Sequence, residues 1–212
     1  MSQVVEVQHP LVKHHLSQLR EKQTDSAEFR SLVQRLATLV AYEATRHLQL
    51  EDVPVETPMC SMTGRRLSQR IGLVPILRAG LGMVDPILNL IPTAEVWHLG
   101  VYRDEATAQP VEYYSKLPPT KPVDIGLVVD PMLATGGSAV SALAALRSWG
   151  VKDLSMVSII AASDGIETVH REFPEVSIYV CAIDPELNPR KFIVPGLGDA
   201  GDRIFNTQPQ ED

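Results

Sequence analysis

The chain has 212 residues, of which 44% are hydrophobic and 21% are charged, and its formal net charge is −7. This composition is typical of one globular domain with a full core, and no apolar stretch approaches the roughly 20 residues that span a bilayer. The negative charge disfavours nucleic acid as a partner, whereas a small anionic ligand needs only a few local cations. We expect a single domain over residues 1–212 that has no contact with a membrane.

The two cysteines, Cys60 and Cys181, cannot form a disulfide framework, and no group of Cys and His residues has the spacing of a zinc site. The first ten residues mix polar and apolar side chains, so they lack the basic and then apolar pattern of a secretory signal. These observations predict a cytoplasmic protein with reduced thiols.

Residues 1–50 are predicted to form an N-terminal helical segment with helices over 11–22 and 25–48. The second helix opens with a capping box and continues with apolar residues at helical spacing. The following stretch, 51–69, contains prolines and shows little periodicity, which indicates a loop or an irregular hairpin.

From residue 71 onward, short apolar runs alternate with helical segments. Continuous apolar runs of this length favour strands that are buried on both faces, and the alternation indicates a mostly parallel sheet with right-handed crossovers. Ligands bind beyond the C-terminal strand ends of such sheets. The predicted strands are 71–77, 94–101, 125–129, 154–161 and 176–183, and the predicted helices are 81–90, 138–149 and 164–173.

The pattern of residues 125–138, an apolar run followed by small and hydroxyl residues, predicts a buried strand that leads into a phosphate-binding loop. The strand brings Asp130 to its C-terminal end, and the run 135–138 then supplies a threonine, two glycines and a serine where a helix begins. Unpaired N–H groups and hydroxyls there can bind a phosphate, and glycines let the backbone approach it closely. The segment is neither a Walker A loop, because no lysine follows the glycines, nor a dinucleotide fingerprint, because the glycine spacing differs. We therefore predict an α/β enzyme that acts on a phosphorylated small molecule.

Another predicted strand end carries Arg78, which is followed by Ala79 and Gly80 before a helix. The guanidinium can neutralise a diphosphate while the two following amides contact it. Arg103, at the end of the next predicted strand, can reach the same diphosphate. The alternatives are an ion pair at a helix start for Arg78 and a solvated loop for Arg103. Residues 103–122 break the alternation and are numerous enough to form a mobile lid.

The segment 193–203 contains three glycines, an alanine and two acids, so it presents mainly backbone groups. Uracil offers an acceptor, a donor and an acceptor along one edge, and alternating peptide N–H and C=O groups can pair with that edge. A plain surface turn is the alternative interpretation of this segment taken alone.

Together these segments resemble the uracil phosphoribosyltransferases, which are type I phosphoribosyltransferases. The resemblance rests on the runs 75–82, 130–138 and 195–205, extends to 5–13, and covers nearly the whole chain. It implies an α/β fold with a mostly parallel sheet flanked by helices, with N-terminal helices and a C-terminal hood loop, within 184–206, that binds the base.

The resemblance also implies roles for individual residues. Catalysis is assigned to Asp130, Arg78 and Arg103, and uracil is held by Ile193, Gly198, Asp199 and Ala200 through their backbone. Contacts with phosphoribosyl diphosphate are assigned to Arg78, Arg103, Asp130, Pro131, Met132, Leu133, Ala134, Thr135, Gly136, Gly137, Ser138 and Asp199. Most family members have two adjacent acids at the strand end, whereas Pro131 follows Asp130 here. The cofactor Mg²⁺ is therefore expected on the substrate and not directly on the protein.

The implied reaction converts uracil and 5-phospho-α-D-ribose 1-diphosphate to uridine monophosphate and diphosphate. The resemblance also implies a homo-oligomer, and it leaves activation by GTP open because some relatives show it. A different base, a purine or orotate, is an alternative that residues 193–200 decide. Two further alternatives are a pyrimidine-operon RNA attenuator of this fold, which the −7 charge disfavours, and an inactive sensor of phosphoribosyl diphosphate.

Overall fold

The structure is a computed structural model that describes residues 3–103, 110–115, 117 and 121–207. Within these residues the helices are α1 (Pro10–Arg20), α2 (Ser26–Ala44), α3 (Val84–Leu90), α4 (Gly137–Trp149), α5 (Ser163–Glu172) and α6 (Ala200–Phe205). The strands are β1 (Val4–Glu6), β2 (Leu50–Glu56), β3 (Ser61–Leu67), β4 (Ile71–Pro75), β5 (Glu95–Val96), β6 (Leu99–Arg103), β7 (Pro110–Ser115), β8 (Ile125–Val129), β9 (Met132–Leu133), β10 (Asp153–Ala162), β11 (Ser177–Asp184), β12 (Glu186–Leu187) and β13 (Ile193–Val194). A 3₁₀ turn over Ala79–Met83 leads into α3.

The central sheet has the strand order β1-β11-β10-β8-β4-β5, and every neighbouring pair is parallel. In the middle of the sheet, Leu127 of β8 lies between Leu73 of β4 and Ser155 of β10. The short strand β9 extends the sheet by pairing with the end of β10. The predicted α/β fold with a mostly parallel sheet is therefore confirmed.

Helices cover both faces of the sheet, which is why β8 and β10 are almost continuously apolar in sequence. One face packs against α1, α2, α3 and α6, with Leu36 and Ile87 fully buried in that core. The other face packs against α4 and α5, with Leu143 and Val169 fully buried. Among the helices in the described residues, none is both long enough and apolar enough to cross a membrane.

The carboxyl ends of β4, β8, β10 and β11 meet at one edge of the sheet because the strands are parallel. Arg78 follows β4, Asp130 follows β8, and Asp184 is the last residue of β11. The pairing therefore brings together segments that are separated by 50 or more positions in sequence. This edge is where parallel sheets bind ligands.

The stretch 51–69 is a regular antiparallel hairpin, which corrects its interpretation as a loop or an irregular hairpin. Strands β2 and β3 pair from Leu50 opposite Leu67 to Glu56 opposite Ser61. Most side chains of both strands are exposed, so apolar and polar residues do not alternate as they do in a half-buried strand. The absence of a buried face removed the sequence signal.

The prediction of one buried strand over 94–101 is wrong. Only Glu95 and Val96 pair with β4, and the amide N–H of Trp97 then donates to the carbonyl of Leu73. Strand β6 belongs to a separate hairpin with β7. The predicted lid, 103–122, thus contains β7, while its residues 104–109, 116 and 118–120 lie outside the described residues.

The ends of the chain contain short strands that the sequence pattern did not predict. The predicted helices 11–22 and 25–48 are present as α1 and α2, and α2 ends at Ala44. Strand β1 has only three residues and is largely exposed, so it has no apolar signature, and it pairs with β11. After Asp184, β12 and β13 pair antiparallel before α6, where only loop was expected.

Candidate active site

The loop predicted to bind phosphate, residues 130–138, begins where β8 ends at Val129 and is called the phosphate-binding loop below. Oδ1 of Asp130 accepts a hydrogen bond of 3.2 Å from the amide N–H of Met132, which closes a tight turn. Gly136 is the N-cap of α4 and has a φ of +84°, in the left-handed region that favours glycine. A Cβ at Gly136 would lie 2.8 Å from the carbonyl oxygen of Gly165. The loop therefore requires glycine at this position for both conformation and space.

Neighbouring elements hold this loop from two sides. Met132 and Leu133 form β9 and pair with β10, so the loop is an extension of the sheet. On the other side, a Cβ at Gly165 of α5 would lie 2.5 Å from the carbonyl oxygen of Ala134. The close approach of α5 thus fixes the backbone of the loop before any ligand binds.

The carboxyl group of Asp130 has a pKa well above the ordinary value of an aspartate. Burial raises the pKa of Asp130 to about 7, the hydrogen bond from Met132 opposes the rise, and the charge of Asp199 adds to it. The residue as a whole is half-buried, although its carboxyl group is well enough shielded for burial to dominate its pKa. A cation at this position would favour the ionised carboxylate, because opposite charges lower the pKa of an acid.

The segment after β4 packs directly on the phosphate-binding loop. The peptide between Leu77 and Arg78 is cis, and the amide N–H of Gly80 donates to the carbonyl of Ile76 at 2.9 Å. A Cβ at Gly80 would lie 2.5 Å from the carbonyl oxygen of Val129, the last residue of β8. The side chain of Arg78 is 58% exposed, so a ligand at this edge can reach it although its guanidinium is paired with Asp202.

Arg103 is the last residue of β6 and is paired in register with Pro110 of β7. Its side chain lies outside the described part of the structure, as do those of the rest of this hairpin. Its assignment to the diphosphate stays a prediction.

The segment predicted to bind the base, residues 193–199, comprises β13 and the turn that leads into α6, and it is called the base loop below. The peptide between Val194 and Pro195 is cis, and Gly196 and Gly198 have φ values of +62° and +81°. Asp199 is the N-cap of α6, and its Oδ1 accepts a hydrogen bond of 2.9 Å from the amide of Asp202. The segment predicted to bind uracil is therefore a turn whose shape depends on two glycines and which ends at the N-cap of α6.

Arg203 ties the base loop to the N-terminal helices. Its Nη1 donates to the carbonyls of Leu197 at 2.8 Å and Leu19 at 3.0 Å, and its Nη2 donates to the carbonyl of Glu21 at 2.6 Å. The guanidinium also lies 4.3 Å from the centre of the Phe29 ring, within cation–π range. Burial lowers the pKa of Arg203, but a guanidinium remains protonated at neutral pH.

A cavity of about 220 Å³ is bordered by the phosphate-binding loop on one side and the base loop on the other. It is smaller than most pockets for drug-sized ligands, which have volumes of roughly 300–1,000 Å³, so it suits a single-ring base. Its lining consists of Met132, Ala134, Arg190, Lys191, Phe192, Ile193 and Asp199. A larger cavity, of about 470 Å³, lies between the base loop and the end of α1, but the phosphate-binding loop does not border it. The smaller cavity is therefore the candidate substrate site.

The structure brings together several, though not all, of the residues predicted from sequence. Asp130 and Asp199 interact electrostatically, and a Cβ at Gly201 would lie 3.2 Å from Oδ1 of Asp199 and 3.7 Å from Nη2 of Arg78. Ile193 lines the smaller cavity, whereas Gly198 lines the larger cavity and Ala200 is fully buried. The ligand contacts assigned to these residues remain predictions.

Sequence reasoning missed three residues that line the smaller cavity: Arg190, Lys191 and Phe192. The signal available in the sequence was a pair of adjacent cations followed by an aromatic residue, immediately before the base loop. Phe192 is 41% exposed, so its ring can cover a planar base.

The donor groups at this edge fit a magnesium ion carried by the substrate. Mg²⁺ is usually held by one or two carboxylates together with substrate phosphates and water. Asp130, whose Oδ1 accepts a hydrogen bond from the amide of Met132, would provide one carboxylate, and Asp199, whose charge raises the pKa of Asp130, would provide a second one. This small set matches an ion that the diphosphate brings with it.

A parallel α/β sheet whose C-terminal edge carries a glycine-capped loop and a second, glycine-shaped loop is the architecture that the sequence predicts for a phosphoribosyltransferase. The family model described as Uracil phosphoribosyltransferase matches residues 5–207. A relative from Roseiflexus sp. (strain RS-1), named uracil phosphoribosyltransferase, is 56% identical over 207 residues, which are 98% of this chain and 100% of the relative. One of the same name from Clostridium kluyveri is 53% identical, with the same coverage of both chains. The chain belongs to the uracil phosphoribosyltransferase family.

Two solved structures share the fold of this chain. The AQ2163 protein from Aquifex aeolicus superposes with a TM-score of 0.91 at 36% identity, and covers 98% of this chain and 100% of its own. A hypoxanthine-guanine phosphoribosyltransferase from Bacillus anthracis has a TM-score of 0.50 at 10% identity, and covers 75% of this chain and 80% of its own. The second similarity shows a shared fold alone.

Proposed function

We propose that the chain is a cytoplasmic pyrimidine-salvage enzyme that transfers the phosphoribosyl group of 5-phospho-α-D-ribose 1-diphosphate to uracil, giving uridine monophosphate and diphosphate. The observation that carries this proposal is the cavity of about 220 Å³, because it joins the phosphate-binding loop to the base loop. Met132 and Ala134 line it on the side of the phosphate-binding loop, and Ile193 and Asp199 line it on the side of the base loop. A transferase that unites a sugar phosphate with a base needs such a shared cavity.

The phosphate-binding loop suits the 5-phosphate of the sugar. Helix α4 is 13 residues long, and its first N–H groups together with the hydroxyls of Thr135 and Ser138 can bind a dianion. Gly136 keeps the loop free of side-chain atoms at the point where α5 packs against it. Pro131, Leu133 and Gly137 complete the loop that we assign to this ligand.

In the reaction, the bond between C1 of ribose and the diphosphate oxygen breaks, and a bond between C1 and N1 of uracil forms. Positive charge builds on the ribose ring as the diphosphate leaves, so both charges need stabilisation. We assign Arg78 and Arg103 to the diphosphate, Asp130 to the ribose hydroxyls beside the cation, and Asp199 to the N1–H proton of uracil. Mg²⁺, when bound, neutralises diphosphate oxygens.

Base selection is assigned to the main chain of residues 193–200. Peptide groups held in a fixed turn reject a base whose edge leaves them without a partner, since buried unpaired groups are costly. The small volume of the cavity favours a pyrimidine over a purine. Orotate would place an additional carboxylate in the cavity next to Asp199, which is unfavourable for like charges.

The test is conversion of radiolabelled bases with phosphoribosyl diphosphate and Mg²⁺. We expect uridine monophosphate from uracil and at least about 100-fold lower kcat/KM for guanine, hypoxanthine and orotate. Conversion of guanine or orotate in preference to uracil contradicts the base assignment. Binding of phosphoribosyl diphosphate with no product from any base would instead identify a sensor.

We further propose that the chain associates with itself and that GTP raises its activity. Self-association is supported by the β2–β3 hairpin, a two-stranded ribbon with Val55, Met59 and Met62 exposed, because isolated ribbons are only marginally stable in water. Support for GTP comes from the resemblance to the family. Light scattering during gel filtration tests the first proposal, and initial rates with and without GTP test the second.

A further inference from the structure

A buried ion pair lies directly behind the base loop. Asp184, at the end of β11, has a side chain that is only 5% exposed. Its Oδ1 accepts a hydrogen bond from Nη2 of Arg20 at 2.7 Å, and its Oδ2 accepts one from Nη1 of Arg20 at 2.8 Å. The two side chains therefore form a planar two-bond pair between β11 and α1.

The same pair holds both backbone groups of Gly196. Oδ2 of Asp184 accepts a hydrogen bond of 3.0 Å from the amide N–H of Gly196, and Nη1 of Arg20 donates one of 2.8 Å to its carbonyl. Charge-assisted hydrogen bonds are roughly twice as strong as neutral ones, so this peptide is firmly fixed. A Cβ at Gly196 would lie 2.1 Å from the carbonyl oxygen of Ile193, so the turn is also closed sterically.

The position of Gly196 gives these bonds a functional consequence. Gly196 lies between Ile193 and Gly198, both of which are assigned to the base. Recognition through main-chain groups depends on their placement, and a displacement of about 1 Å can weaken a reaction about 100-fold. A pair that holds the backbone between the two contact points therefore sets the spacing of the groups that meet the base.

We propose that Arg20 and Asp184 are positioning residues for base recognition. They act through Gly196, and the hydrogen bonds described for them do not involve the phosphate-binding loop. This inference rests on the proposed function, because it needs a base bound by residues 193–200. Loss of the pair should weaken the use of uracil and reduce discrimination against other pyrimidines, while binding of phosphoribosyl diphosphate is unaffected.

The experiment compares the purified full-length chain with Asp184→Asn, Arg20→Lys and the control Arg46→Gln. Asn at position 184 has one acceptor oxygen in place of two, so either Arg20 or Gly196 loses a partner. Lys at position 20 keeps the charge but has no planar fork. Arg46 donates a hydrogen bond of 3.1 Å to Oε2 of Glu43, but its side chain is 72% exposed, and neither residue lines the two cavities beside the base loop.

The readouts are KM and kcat for uracil, the inhibition constant of cytosine, and the Kd of phosphoribosyl diphosphate with Mg²⁺ measured by calorimetry without base. Cytosine presents a different pattern of donors and acceptors along the same edge. We expect KM for uracil to rise about tenfold or more in Asp184→Asn and less in Arg20→Lys, with kcat within about threefold. In both variants we expect the inhibition constant of cytosine divided by the KM for uracil to fall. The Kd of phosphoribosyl diphosphate should stay within about twofold of the value for the unaltered chain.

Each outcome decides the inference. Unchanged KM and cytosine ratio in folded Asp184→Asn overturn it, and so does an equal rise in KM and in the Kd of phosphoribosyl diphosphate, which indicates general loosening of the fold. Should Asp184→Asn yield no folded protein, Arg20→Lys decides by the same criteria. An unaltered protein that forms no uridine monophosphate contradicts the proposed function itself, whereas active protein with insensitive variants contradicts only this inference.

Discussion

Nη2 of Arg78 lies 3.1 Å from Oδ1 of Asp202, so the cation assigned to the diphosphate is paired with the first turn of α6. The same oxygen of Asp202 accepts a hydrogen bond from the hydroxyl of Thr207. Helix α6 directly follows the base loop. This ion pair therefore connects the segment that meets the leaving group with the segment that meets the base.

Arg78→Gln should raise the KM for phosphoribosyl diphosphate by about tenfold or more, because hydrogen bonds to charged groups contribute about 1.5–3 kcal/mol each. Asp202→Asn is the matched control. It neutralises the partner of Arg78 and keeps the guanidinium, and an ion pair whose cation is mostly exposed contributes only about 0–1 kcal/mol. Its KM should therefore change by less than about fivefold. Steady-state kinetics measure both values, and equal effects of the two changes would contradict the assignment of Arg78.

Asp130→Ala should reduce kcat by about 100-fold or more without lowering the unfolding free energy at neutral pH, because we assign the carboxylate to the ribose and the burial of its charge does not stabilise the fold. The isosteric Asp130→Asn should have the same effect on turnover, since it keeps the shape of the side chain and removes its charge. Initial rates and urea unfolding measure the two properties. Wild-type turnover in either folded variant rules out the role of Asp130.

The raised pKa of Asp130 predicts a dependence of stability on pH. Its pKa rises from 3.8 to about 7 on folding, so the native chain binds more protons than the unfolded chain between these values. The contribution of this group to the unfolding free energy is therefore largest below about pH 4, decreases as the pH rises to about 7, and is constant at higher pH. The difference in unfolding free energy between wild type and Asp130→Asn should follow this course, and a difference independent of pH from 4 to 8 would contradict the raised pKa.

Gly136→Ala should destabilise the chain by about 1–3 kcal/mol, the typical cost of a left-handed backbone in a residue with a Cβ. It should also raise the Kd of phosphoribosyl diphosphate, because the added Cβ meets Gly165 and displaces the loop. Gly150→Ala provides a control at the other end of α4. Gly150 has a φ of +107° and its Cβ would lie 3.3 Å from Cγ of Pro122, so this change should cost stability but leave the Kd unchanged. Chemical denaturation and calorimetry separate the two effects.

The phosphate-binding loop was the most predictable part of the site because its signal is local. Ile125–Val129 is a continuous apolar strand, and the run 135–138 begins the next helix within a few residues. Local sequence thus predicts the order of strand, loop and helix, whereas β10 and α5 hold the loop in place. The same reasoning identified the strands β10 and β11 and the helix α5 to within a few residues.

Features that depend on distant partners were not predictable in this way. Arg20 and Asp184 are separated by 164 positions, and neither stands in a recognisable motif. The run 94–101 is apolar enough for one strand, but only tertiary pairing shows that it is divided between β5 and β6. A strand as short as β1 likewise gains its structure from β11 and not from its own sequence.

The hydrogen bonds of Arg203 to Leu19, Glu21 and Leu197 hold the base loop against the C-terminal end of α1, a segment far from it in sequence. On the ribosome, β8, α4 and the phosphate-binding loop emerge well before residue 203. The residues assigned to the sugar phosphate therefore leave the ribosome before the residues assigned to the base. The segment assigned to base selection is consequently among the last parts of the site to be synthesised.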